Sequence, residues 1–134
     1  MRFLLDTNIM SDLVRNPHGR ITEKILRVGE DRICTSIVVA AELRYGSAKA
    51  QSQRLSAQLD AILGAIEILP LEPPVDATYG LLRARLEQAG QPIGGNDLLS
   101  AAQAVALGHT IVTDNEREVS RIAELTCENW LRDV

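Results

Sequence analysis

Short apolar runs that halt at a polar or acidic residue, each followed by a helical stretch, recur along this chain and restrict its folds most. Arg2-Phe3-Leu4-Leu5 stops at Asp6-Thr7-Asn8, and Thr110-Ile111-Val112-Thr113 stops at Asp114-Asn115. Between them lie similar runs at Arg32–Thr35 and Ile68–Leu71, and a last one is expected within Leu125–Trp130. The intervening segments have helical spacing and end in helix breakers. Ile9–Arg15 runs into Asn16-Pro17-His18-Gly19, Ile21–Val28 is closed by Gly29, and Val75–Ala89 closes at Gly90. Ser36 is placed to cap a helix reaching Ala50, with an apolar stripe of Ile37, Val38, Ala41, Tyr45 and Ala48 toward the core. Gln51–Ile66 is a further helix, and Asn96 is expected to cap another over Asp97–Leu107. Strands alternating with helices require crossover connections, so the fold class is α/β with a mostly parallel sheet. No repeat or linker interrupts the 134 residues, which read as a single domain, 1–134.

Composition narrows the chemistry. Eighteen acids against fourteen Lys and Arg give a net charge of −4, so bulk charge does not drive nucleic-acid binding. Two cysteines, Cys34 and Cys127, and two histidines, His18 and His109, make neither a disulfide framework nor a zinc site. No apolar run approaches a membrane span, and Asp6 comes too early for a secretion signal, so the expectation is a cytoplasmic protein. No Gly-Lys-Ser/Thr follows Gly94-Gly95, which excludes a phosphate-binding loop of that type.

The acids are the informative residues. Asp6 and Asp114 each follow a strand, and in parallel sheets ligands bind beyond the carboxyl ends of strands. Each is equally suited to start the next helix. Asp97 opens a helix that is apolar nearly all round, a buried setting where a carboxylate also gains from the helix dipole. Glu42 lies at the edge of the apolar stripe of its own helix, and a buried glutamate needs a partner, either an arginine or a cation. Carboxylates that share a site repel one another, and a hard divalent cation such as Mg²⁺ relieves this. The residues alone thus point to a Mg²⁺-assisted hydrolysis or phosphoryl-transfer site beside purely structural readings of each acid.

Four segments together carry a resemblance. Leu4-Leu5-Asp6-Thr7-Asn8, Ala41-Glu42-Leu43-Arg44-Tyr45-Gly46, Pro92-Ile93-Gly94-Gly95-Asn96-Asp97 and Val112-Thr113-Asp114-Asn115 resemble the motifs of the PIN-domain family, in order and at its spacing. The likeness is strongest to the VapC toxins of bacterial type II toxin–antitoxin systems, and the ending Glu128-Asn129-Trp130 is similar to theirs. The resemblance implies a three-layer α/β/α sandwich and an endoribonuclease dependent on Mg²⁺, with Mn²⁺ able to substitute. It implies a VapB-type antitoxin, a homodimer, and tRNA or ribosomal RNA as substrate. Asp6 and Asp97 correspond to the principal metal ligands and Glu42 to a holder of metal or water, with Thr7, Asn8 and Thr113 in support. The family's fourth acid falls at Asn115, one residue after Asp114. Asp114 is therefore expected to supply the charge, with Asn115 as a neutral oxygen ligand and Glu118 as another acid in reach.

Alternatives remain at this point. A haloacid-dehalogenase-like phosphatase needs Asp-x-Asp where this chain has Asp6-Thr7-Asn8, and a receiver domain needs an acidic pair and a late lysine. A catalytically weak PIN-like module that only binds RNA or protein is the non-enzyme reading. For RNA, Arg44, Lys49, Arg54, Arg83, Arg85, Arg117 and Arg121 are candidate groove residues, or solvated helix faces. With so few aromatics, phosphate contacts rather than base stacking would hold the strand.

Overall fold

The computed structural model describes residues 1–132. The strand β1 (Phe3–Leu5) is followed by the helices α1 (Thr7–Arg15) and α2 (Arg20–Val28), then β2 (Ile33–Ser36). Next come α3 (Ile37–Ala50), α4 (Gln53–Ala65), β3 (Glu67–Leu69), α5 (Val75–Gln88) and α6 (Gly95–Leu107). The chain ends with β4 (Thr110–Val112), the short α7 (Glu116–Val119) and β5 (Cys127–Glu128). Every strand pairing is parallel, in the order β3-β2-β1-β4-β5. The expected parallel sheet and the alternation behind it are therefore present.

The strands alternate faces as their pleat demands. Phe3 and Leu5 pack with Ile9, Met10 and Leu13 of α1, Ile21 of α2, Val39 of α3 and Leu59 and Leu63 of α4. Leu4 on the other face meets Ala104 of α6 together with Cys34 and Ile111. α5 packs on α6 through Leu82, Leu86, Leu98, Ala101 and Ala102. Helices thus cover both faces, which gives the three-layer α/β/α sandwich. Among the described residues no helix is long and apolar enough to cross a membrane.

Two expectations change. The stripe Ile37, Ala41, Tyr45 and Ala48 faces solvent, with Ile37 46% and Tyr45 68% exposed; the buried side of α3 is Val39, Ala40 and Ser47, with Leu43 partly covered. Ile37–Ala41 is apolar at five consecutive positions, so periodicity offers two faces, and the handover from β2 selects one. Ser36 does cap α3, accepting from the Val38 N–H at 3.1 Å. Asn96 does not cap α6. The helix begins one residue before it, with Gly94 at the cap and the Leu98 N–H bonded to the Gly94 carbonyl at 2.8 Å. Asp97 consequently sits at the third helical position.

Candidate functional site

The order of strands makes β1 the branching point of the sheet. The chain runs from β1 to β2 and β3 on one side, then returns to lay β4 on the other. Beyond the carboxyl ends of β1 and β4 the connections diverge, which leaves a crevice suited to a ligand. Asp6 follows β1 in this crevice, and Thr113 to Asn115 follow β4. Helix α3 brings Glu42 to it, and the first turn of α6 brings Asp97.

Asp6 is the deepest acid, only 2% exposed. Its Oδ2 accepts a hydrogen bond from the Thr113 hydroxyl at 2.9 Å. Its Oδ1 is buried without a hydrogen-bond partner, although Asp6 stands at the cap of α1, where an aspartate ordinarily accepts from the helix amides. Burial pushes the Asp6 carboxyl up to about 6, the neighbouring Asp97 and Glu42 charges add to the rise, and the Thr7 amide and Thr113 hydroxyl oppose it.

The other acids surround it. Glu42 Oε1 accepts from the Thr7 hydroxyl at 2.8 Å. Asp97 is half-buried, and its carboxyl is raised by burial first, then by the charges of Glu118 and Glu42, against the bond it accepts from Asn115. Asn115 Nδ2 donates to Asp97 Oδ2 at 3.1 Å and to Glu118 Oε2 at 2.5 Å. One amide therefore clips two carboxylates side by side, and Asn115 makes no side-chain cap bond to α7.

Asp6, Glu42 and Asp97 are thus brought together as expected. Asp114 is not: its Oδ1 accepts from Asn129 Nδ2 at 2.9 Å and faces Arg132 Nε at 3.4 Å. β4 ends at Val112 and Asp114 lies at a bend, where its N–H is held by Asn8 and its carboxylate is turned to Asn129, while the preceding Thr113 turns its hydroxyl to Asp6. The fourth acid in the cluster is Glu118, and Asn115 presents its amide nitrogen rather than its oxygen to the acids. The spacing carried this signal, since residues three apart on a helical turn share a face. Thr7, Asn8 and Thr113 do support the site, Asn8 Oδ1 accepting from the Asp114 N–H at 2.9 Å.

Three of the seven expected basic residues are paired with acids outside the site. Arg44 pairs with Asp60, Arg83 with Glu87, and Arg85 with Glu124.

The donor set fits a hard cation. All its atoms are carboxylate oxygens, they repel one another, and one of them is buried and unpartnered. Among the described residues no three His, Cys, Asp or Glu side chains converge closely enough to grip an ion directly. Carboxylates that repel stay apart, and Mg²⁺ needs only one or two of them because it keeps several waters.

The family model for the PIN domain matches residues 3–125. Ribonuclease VapC2 of Rickettsia felis is 38% identical over 132 residues, covering 97% of this chain and 98% of the relative. The tRNA(fMet)-specific endonuclease VapC of Shigella flexneri is 32% identical over 131 residues, with 97% and 98% covered. The crystal structure of VapBC2 from Rickettsia felis bound to a DNA fragment from its promoter matches this fold with a TM-score of 0.86 at 38% identity, covering 97% of this chain and 99% of that one.

Proposed function

The chain belongs to the PIN-domain family, and from that premise we propose that it is a metal-dependent endoribonuclease, the toxin of a VapBC-type toxin–antitoxin pair. The observation that carries this reading is the Asp6 carboxylate, buried at the branching point of the sheet with one oxygen unpartnered and three further acids around it. A core does not accumulate such charge for stability; strained or unsatisfied groups persist where function needs them.

Asp6 and Asp97 would hold Mg²⁺, or Mn²⁺ in its place, with Glu42 and Glu118 flanking it. When bound, the ion supplies an activated water and neutralises the charge that develops on a phosphodiester. The chain's own residues do the positioning. Thr113 fixes the rotamer of Asp6, Thr7 holds Glu42, and Asn115 keeps Asp97 and Glu118 in register. The substrate is RNA, and the name of the Shigella flexneri relative makes tRNA the first class to test. The partner is a VapB-type antitoxin, as in the VapBC2 complex of Rickettsia felis, and the family resemblance adds a homodimer and a toxin–antitoxin hetero-oligomer.

Induced expression without the antitoxin should arrest growth, and sequencing of RNA ends should reveal discrete new termini. Purified protein should give the same termini with Mg²⁺ or Mn²⁺ and none with chelator. Asp6→Asn should abolish both effects. If the wild-type protein leaves pooled RNA intact with either metal, or Asp6→Asn cleaves as well as wild type, the nuclease reading is wrong and the fold serves binding alone.

A further inference from the structure

The ending Glu128-Asn129-Trp130 plays no direct part in the acid cluster, yet it is tightly built. Trp130 is 7% exposed and sets its ring 5.3 Å from that of Phe3 in β1. Its indole N–H donates to Glu128 Oε1 at 2.9 Å. Between them Asn129 is buried, and both ends of its amide are used. Its Oδ1 accepts from the Leu131 N–H at 3.0 Å, which directs its Nδ2 onto Asp114 Oδ1 at 2.9 Å. The backbone follows the same line, since the Thr113 N–H donates to the Glu128 carbonyl at 3.0 Å.

Asp114 sits in the middle of the segment that orders the site. Its own N–H is bonded to Asn8, and the Asn115 N–H donates to Thr113 Oγ1 at 3.0 Å. The residue before it clamps Asp6 and the residue after it clips Asp97 to Glu118. Whatever fixes Asp114 therefore fixes the orientation of three acids.

We infer that Asn129 is a positioning residue which, through its hydrogen bond to the Asp114 carboxylate, holds residues 113–115 in the conformation that orients Asp6, Asp97 and Glu118. Asp114 is then the near end of a tether and not a ligand. The inference rests on the nuclease reading for its consequence in catalysis, but the tether itself stands without it.

The two ends of the tether differ in polarity, which makes it testable by exchange. Asn129→Asp sets carboxylate against carboxylate and pushes Asp114 away. Asp114→Asn keeps an acceptor oxygen for Asn129. The double variant Asp114→Asn/Asn129→Asp rebuilds the same bond with donor and acceptor reversed. Cleavage of an RNA oligonucleotide with Mg²⁺ should show kcat lowered about tenfold or more in Asn129→Asp with KM little changed, since misplacement affects the reacting geometry and not the binding surface. Asp114→Asn and the double variant should both lie near wild type. In metal-free protein, amide hydrogen exchange should show the Asp114 and Asn115 amides losing protection in Asn129→Asp and regaining it in the double variant, while β1 and β2 stay protected throughout. Protected strands in all variants exclude loss of fold as the cause.

A double variant no better than Asn129→Asp, or an Asp114→Asn variant as inactive as Asp6→Asn, overturns the inference and restores Asp114 as a ligand. If wild type cleaves no RNA, the nuclease reading fails, and the exchange measurement still decides the tether. Unchanged protection at Asp114 and Asn115 in Asn129→Asp would then reject it.

Discussion

Asp6→Asn should make the metal-free protein more stable at neutral pH. The Asp6 carboxyl stands at about 6 in the folded chain because burial disfavours its charge. In the unfolded chain it returns to about 4. Between these values the folded state holds a proton that the unfolded state has released, so stability falls as pH rises through the window. A difference of about two units corresponds to about 3 kcal/mol at 1.36 kcal/mol per unit, fully present as a penalty above about pH 7. Asparagine keeps the shape, still accepts from Thr113, and carries no charge at any pH. Its amide nitrogen can lack a partner where Oδ1 now lacks one, which takes back part of the gain. A net gain of about 1.5–3 kcal/mol is expected at pH 7, or about 5–10 °C in Tm for a chain of this size. Near pH 4 the two proteins carry similar neutral groups at position 6 and should melt together.

The assay is a pair of calorimetric melts in chelator across pH 4–7.5. The wild-type curve should drop away from that of the variant between about pH 4 and 6 and run parallel above. If Asp6 holds Mg²⁺ as proposed, the ion at one hundred times its dissociation constant should then raise the wild type by about 2.7 kcal/mol and the variant by less, since a ligand that binds only the folded state stabilises it. A difference independent of pH, or a variant that melts below wild type at pH 7.5 in chelator, would refute the claim that Asp6 is held charged against its environment.

Asp97→Asn should also raise Tm in chelator, by less than Asp6→Asn. Asp97 is only half-buried, and the start of α6 loses a charge–dipole term of about 0.3–1 kcal/mol; melts with and without Mg²⁺ separate ligand from helix-starting roles. Ser100→Ala should be neutral or stabilising by up to about 1 kcal/mol in denaturant titration, because the hydroxyl is fully buried without a partner. Trp130→Ala should destabilise by about 3–5 kcal/mol, the range for an emptied aromatic site, with the loss read from the urea midpoint.

How much of this was legible in the sequence depended on whether direction or only adjacency was needed. The breaks after Leu5 and Thr113 placed Asp6 and the 113–115 segment at the right sheet edge, because chain order alone puts a residue at the end of a strand. Asp97 and Glu42 were legible for a related reason, Asp97 as the one charge of a mostly apolar helix and Glu42 as the charge that directly follows the apolar run Ile37–Ala41. Asp114 was misplaced because it is adjacent to the site in sequence but turned away from it in space. β4 ends at Val112, so strand alternation does not reach Asp114; its direction is set by a bend whose N–H is held by Asn8, 106 positions away in the chain, which local pattern does not carry. Glu118 was legible as an acid in reach of the 113–115 loop but not as a member of the cluster, since α7 is only four residues long and offers no periodicity to give its direction.

The exposed side of α3 misled for the opposite reason. Ile37 to Ala41 is so uniformly apolar that the pattern carries no direction, and the choice of face is made by how Ser36 passes from strand to cap. That same handover sets where Glu42 projects. Ser36 ends β2 and begins α3 with no residue between, so the rotation of the helix is fixed by the sheet from its first turn. Val39, Ala40 and Leu43 then point to the core, and Glu42, between two of them and one turn from Val39, is carried to the edge where Thr7 meets it. A one-residue insertion at this junction would rotate the helix by about 100° and carry Glu42 away from Thr7, leaving Asp6 and Asp97 without their third carboxylate. Asp6, Glu42 and Glu118 are thus placed by the points at which β1, β2 and β4 give way to their helices, and Asp97 joins them from the first turn of α6, which follows α5 and a loop.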